Sequence, residues 1–151
     1  MSRRGQVAVE GESSPLTVTK KISIRRDSRW IEAAYRITNP TDRPLEFLFG
    51  VEWNIGLKDA QVNRIGEADA IRRFDVVDPA QRIRVSWAFS RDSRLWYFPI
   101  ETVSDSERGV ERTYQGASLT YLWPVKLSPR SSWGVNGEFC MESADEKVHA
   151  A

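Results

Sequence analysis

The residues in this chain that could do chemistry are almost all carboxylates. The only histidine, His149, stands two residues from the end. A histidine acting as acid or base needs a fixed geometry against its partner, and a terminal segment of small polar residues does not supply one. Cys140 is the single cysteine, so no internal disulfide framework is expected. One Cys and one His fall short of the three or four clustered ligands of a zinc centre, and no metal or other cofactor is expected. Neither a phosphate-cradling glycine loop nor a nucleophile elbow is present. Two acids flanking a scissile glycosidic bond would need to stand roughly 5–10 Å apart. Glu52, Glu101, Glu107 and Glu111 are the candidates, and the plainer role for each is an ion pair with an arginine, Arg112 or Arg36.

Aromatic rings beside polar side chains are the second constellation. Six tryptophans are many for 151 residues. Trp53 with Glu52 and Asn54, Trp96 with Tyr97, and Tyr121 with Trp123 could each stack on a sugar ring while neighbours bond its hydroxyls. The same rings also suit the space between two sheets. Trp30 stands apart, beside the Asp27–Arg29 turn at a strand start. The carbohydrate-contact residues singled out are therefore Trp53, Glu52, Asn54 and Trp30.

The elements that would carry these residues repeat every two positions. Ile31, Ala33, Tyr35 and Ile37 alternate with polar or small residues, as do Ile83, Val85, Trp87 and Phe89. Leu119, Tyr121, Trp123, Val125 and Leu127 make a third stripe; Trp133, Val135, Phe139 and Met141 make a fourth. Period two means half-buried strands. Leu16, Val18, Ile22 and Ile24 suggest another, with Lys20 on the same parity. Leu45–Asn54 and Leu95–Val103 are apolar on both parities, which predicts a sheet covered on both faces. Turn chemistry falls at Asp27-Ser28, Asn39–Asp42, Asp78-Pro79, Arg91–Ser93 and Ser128–Arg130. Pro99 and Pro124 lie inside strand-like runs and must mark an edge, a bulge or a break. About eight strands joined by tight turns predict an all-β antiparallel sandwich. Leu57–Arg73 lacks the pattern and is expected to hold a short helix or an excursion loop. One domain over residues 1–142 and a flexible tail over 143–151 complete the plan.

Composition narrows the partners. With 22 Lys+Arg against 21 Asp+Glu the net charge is +1, and the arginines are scattered, which argues against nucleic acid. No apolar run approaches the roughly 18 residues of a membrane helix, and the N-terminus has no signal-peptide core. A lone cysteine suits a reducing, cytoplasmic setting.

Several motifs in fixed order resemble one family. They are VTKKI at Val18–Ile22, YRITN at Tyr35–Asn39, FGVEWN at Phe49–Asn54, the Trp96–Glu111 stretch, YQG at Tyr114–Gly116 and WPVKL at Trp123–Leu127. Together they resemble the C-terminal β-sandwich domain of the α-amylase/4-α-glucanotransferase glycoside hydrolases, family fifty-seven, from about Val18 to Phe139. That resemblance implies part of a galactose-mutarotase-like supersandwich. It also implies a missing catalytic barrel and a missing first half of the β-region, so the family's catalytic residues map onto no residue here. The expectation is a non-catalytic module of an α-glucan-processing system. It would pack against a catalytic barrel domain or chain, with possible contact to α-glucan. The alternatives are an independent carbohydrate-binding module, or a small glycoside hydrolase or sugar epimerase using Glu52 or Glu101. Runs with apolar residues on both parities and no neighbouring β-region also predict a homodimer through sheet faces or edges.

Overall fold

In a computed structural model, residues 1–9, 11–57, 61–106 and 109–144 are described. Eight strands lie among them: β1 (Ser2–Val9), β2 (Glu12–Ile24), β3 (Trp30–Thr38), β4 (Leu45–Ile55), β5 (Gly66–Asp78), β6 (Ile83–Ser106), β7 (Gly109–Leu127) and β8 (Ser132–Ser143). All pairings are antiparallel, in the order β1-β2-β3-β8-β6-β7-β4, with β5 added along β6.

The 24-residue β6 organises the molecule. Its first part, Ile83–Phe89, pairs with β8; from Arg94 onward the partner is β7. The sheet therefore divides at Arg91–Ser93 into two layers, β1-β2-β3-β8 and β7-β4, and their inner faces meet. Phe49 of β4 touches Tyr35 of β3 at a ring separation of 5.8 Å and Trp133 of β8 at 5.8 Å. Phe89 lies 4.5 Å from Tyr121 and 5.1 Å from Trp123. Most of the alternating stripes form these inner faces: Ile37, Val85, Trp87, Leu119, Tyr121 and Val125 have no exposed surface, whereas Ile22, Ile24 and Met141, at the ends of their stripes, are exposed. Gly137 lies opposite Phe89, and a Cβ there would come within 2.6 Å of the Phe89 ring, so the aromatic fills the space the glycine leaves.

Both internal prolines obey the rule that a residue without N–H needs a strand side without a partner. Pro99 lies beyond the last β5 pairing at Tyr97, and Pro124 lies beyond the last β6 pairing at Leu122. Lys20, on the apolar parity of β2, stays exposed and sets its ammonium 5.5 Å from the centre of the Tyr35 ring.

Three expectations are corrected. Arg91–Ser93 is continuous strand, not a turn; its polar residues serve the change of partner, and buried Ser93 donates its hydroxyl to the Ile71 carbonyl at 2.8 Å. Leu57–Arg73 holds no helix among its described residues: β5 begins at Gly66, and its weak alternation reflects the bulges between Ala68 and Arg73. The runs with apolar residues on both parities are covered on one face only, since Leu48, Trp96 and Phe98 are 57%, 43% and 44% exposed. At the N-terminus, Ser2–Val9 form β1 as the hairpin partner of β2. Ser143 closes β8; the remainder of the proposed tail beyond Ala144, His149 included, lies outside the described residues.

Candidate functional site

Among the described residues, Glu52 and Glu101 do not assemble into an acid pair. Glu52 projects from the outer face of β4, where the Ser118 hydroxyl donates to Oε1 at 3.3 Å. Glu101 sits on the opposite face of the sheet, bonded to the Arg112 guanidinium at 3.3 Å. In register, Glu52 is level with Trp96, so Glu101 lies five residues further along β6, about 17 Å at ~3.3 Å per residue. The arginine expected as a partner for Glu101 is thus present in Arg112. Glu111 is exposed on β7, and Glu107 lies outside the described residues. Among the described residues no cluster of three or more His, Cys, Asp or Glu is placed to hold a metal ion.

The four carbohydrate-contact residues divide between surfaces. Trp53 points inward: its ring stacks on Phe139 at 5.1 Å and 13°, and its indole N–H is buried without a hydrogen-bond partner. Glu52 and Asn54 point outward, as strand parity requires. Trp30 begins β3 in the other layer, half-buried, paired with Cys140, its amide held by the Ser28 hydroxyl at 3.1 Å.

Register brings a different ring to Glu52 and Asn54. Glu52, Thr120, Trp96 and Glu67 form one row across β4, β7, β6 and β5; Asn54, Ser118 and Phe98 form the next. Sequence reasoning paired Trp96 with its neighbour Tyr97. The signal for the real grouping is parity, which sends Tyr97 inward and leaves Trp96 and Phe98 on the outer face with Leu48.

Beside Trp96 the β5 bulge opens a cleft of about 400 Å³, lined by Leu48, Asp69, Arg94, Trp96, Leu122 and Pro124 among others. Ala70 turns the bulge with φ 56°, a left-handed conformation that costs a non-glycine residue roughly 1–2 kcal/mol. That turn directs Asp69 to Arg94, whose Nε donates to it at 2.6 Å; Asp92 pairs with Arg72 in the same way at 2.5 Å. The hydrogen bond and charge of Asp69 push the Arg94 guanidinium above its ordinary value.

The same β6–β7 pair forms a second feature. Beyond an irregularity at Ile100/Glu101 it runs on as a two-stranded arm, from Glu101↔Tyr114 to Ser106↔Gly109. The arm's residues 101–105 and 109–113 are all exposed, with Val103 at 63% and Val110 at 70%. Gly116 marks its root, where a Cβ would stand 2.5 Å from the Ile55 carbonyl oxygen, so only glycine fits.

Comparison with known proteins gives this geometry a family. The family model described as alpha-amylase/4-alpha-glucanotransferase, C-terminal, matches residues 1–136. The 4-alpha-glucanotransferase of Thermococcus litoralis is 35% identical over 124 residues, covering 82% of this chain and 18% of that protein. Alpha-amylase 1 of Dictyoglomus thermophilum is 27% identical over 142 residues, covering 85% of this chain and 20% of that one. The crystal structure of the Thermococcus litoralis 4-alpha-glucanotransferase superposes with a TM-score of 0.76 and 31% identity, over 92% of this chain and 20% of that chain. A putative aldose 1-epimerase from Escherichia coli shares the fold at a TM-score of 0.58 and 9% identity, covering 93% of this chain and 68% of that one. The chain thus spans about one-fifth of the length of its amylase and glucanotransferase relatives. It belongs to the alpha-amylase/4-alpha-glucanotransferase C-terminal family.

Proposed function

We propose that this chain is a non-catalytic β-sandwich module of an α-amylase or 4-α-glucanotransferase system, and that it works by packing against the catalytic part of such an enzyme. The observation that carries the reading is the β6–β7 arm. A two-stranded hairpin alone is at best marginally stable in water, and this one holds Val103 and Val110 away from the sandwich with both faces exposed. Docking on a larger body would bury the valines and order the arm. The relatives, four-fifths of whose length lies outside the matched region, offer such a body in the same chain.

The test is a chimera. This chain replaces the matching C-terminal segment of the Thermococcus litoralis 4-alpha-glucanotransferase, and α-glucan transfer and melting temperature are measured. The chimera is expected to retain transfer, and Val103→Asp with Val110→Asp is expected to lower its melting temperature and activity while the isolated module still folds. A chimera indifferent to both arm substitutions would refute packing through the arm.

A second reading, an α-glucan contact in support of the enzyme, is favoured by the exposed Trp96 and Phe98 beside Glu52 and Asn54. Half-buried Trp30 and Trp53 belong to the same reading, Trp53 through the part of its ring that the stack on Phe139 leaves exposed. A reducing cytoplasm suits a chain whose single cysteine, Cys140, is buried and takes part in no disulfide. Where no catalytic part is present, the exposed edge of the β6–β7 arm, with Val103 and Val110, is expected to pair two copies as a homodimer.

A further inference from the structure

We infer that the cleft between the β5 bulge and the outer face of β4 and β7 is an α-glucan subsite, with Trp96 as its platform. The inference rests on the reading of this chain as part of an α-glucan-processing enzyme; it adds the location, the residues and the ligand chemistry.

Three observations converge there. Trp96 is a large ring with 43% of its surface exposed on the outer face, beside the likewise exposed Phe98, and Leu122 forms an apolar floor beneath the same cleft. A pyranose ring presents a patch of C–H bonds on its face and hydroxyls around its edge, so it needs an aromatic plane flanked by in-plane polar groups. The rim supplies those groups. Arg94 and Arg72 each engage one oxygen of Asp69 and Asp92 through Nε, and all four side chains remain more than half exposed. Carboxylate oxygens and guanidinium N–H groups arranged in this way accept from and donate to neighbouring hydroxyls. The two pairs cancel in charge, which suits a neutral polyhydroxylated ligand and disfavours an anion such as phosphate or an acidic peptide.

The third observation is the backbone. Ala70 holds a left-handed φ of 56° at an irregularity in the β5–β6 register, and this bulge places Asp69 against Arg94 at the mouth of the cleft. A bulge of this kind re-aims the side chains beside it, here Asp69 toward the cleft mouth. The volume, about 400 Å³, lies at the lower end of the roughly 300–1,000 Å³ range of small-ligand sites and matches a segment of one or two sugar rings. Glu52 and Thr120, level with Trp96 across the sheet, continue the polar surface along which a longer chain would lie.

The experiment uses the isolated chain, ¹⁵N-labelled, titrated with maltoheptaose and followed by amide shifts and tryptophan emission. The expected result is millimolar binding with shifts centred on Asp69–Ile71, Arg94–Trp96 and Leu122. Trp96→Ala should weaken it by about tenfold or more. Arg94→Gln, which keeps the fold but breaks the rim, should weaken it several-fold. Shifts elsewhere, insensitivity to Trp96→Ala in a folded variant, equal binding of cellohexaose, or no shift at millimolar maltoheptaose would each overturn the subsite. The chimera assay with arm substitutions reports on the accessory role separately, so the subsite can fail while that role stands, and the reverse.

Discussion

Tyr121 shows how tightly single residues are constrained here. Its ring is fully buried between the layers against Phe89, yet its hydroxyl has no hydrogen-bond partner. An unmet buried hydroxyl costs on the order of 1–3 kcal/mol, so Tyr121→Phe is expected to be neutral or to stabilise by up to about 1 kcal/mol, measured by urea unfolding. Burial first, and the charge of Asp75 second, push the Tyr121 phenol far above its ordinary value near 10. Because the folded state keeps the proton where the unfolded chain releases it, the associated stability is complete below about pH 10 and falls as pH rises beyond it. Tyr114, raised mainly by burial, acts in the same direction. Stability should therefore decline above pH 10, and Tyr121→Phe should flatten that decline; an unchanged slope would contradict the assignment. At the surface, Glu52 and Glu101 stand on opposite faces and each has a plain structural partner, Ser118 or Arg112. Glu52→Gln and Glu101→Gln are expected to shift stability by no more than about 1 kcal/mol, and the isolated chain should release no reducing sugar from starch or maltooligosaccharides. Robust turnover that vanishes in either variant would reverse that view.

At the level of elements, the turn between β3 and β4 is held by one buried amide. Asn39, with no exposed surface, donates to the carbonyls of Arg43 at 2.7 Å and Ser128 at 3.1 Å and accepts from the Thr41 amide at 2.9 Å. Asn39→Ala leaves those carbonyls unmet and is expected to cost about 2–3 kcal/mol in chemical unfolding. The neighbouring fork from Arg130 to Asp42, which lowers the Asp42 carboxyl, is fully exposed, so Asp42→Asn should have a much smaller effect. The arm behaves differently from both. Residues 101–105 and 109–113 of the arm are exposed, so replacing Thr102–Thr113 by a short turn should leave the melting temperature of the isolated module unchanged while the chimera loses activity. A large loss of module stability would show that the arm belongs to the core instead.

For the molecule as a whole, Val103 and Val110 leave an apolar edge on the β6–β7 arm, outside the residues that line the Trp96 cleft, and in the relatives most of the chain lies beyond the matched region. Light scattering coupled to size exclusion is expected to give a dimer mass at micromolar concentration; a monomer throughout that range would refute the pairing. No helix among the described residues is long and apolar enough to cross a membrane. The all-β antiparallel architecture, the stripes that became the inner faces, the positions of both prolines and the family were legible from residue order alone, because period two and turn chemistry act over a few neighbouring residues. The partner change of β6 at Arg91–Ser93 was not, since polar residues that signal a turn locally can also end one ladder and begin another. Nor was the cleft. Glu52, Trp96 and Asp69 are far apart in sequence and meet through cross-strand register and a bulge, which tertiary packing chooses among alternatives that local pattern leaves equal.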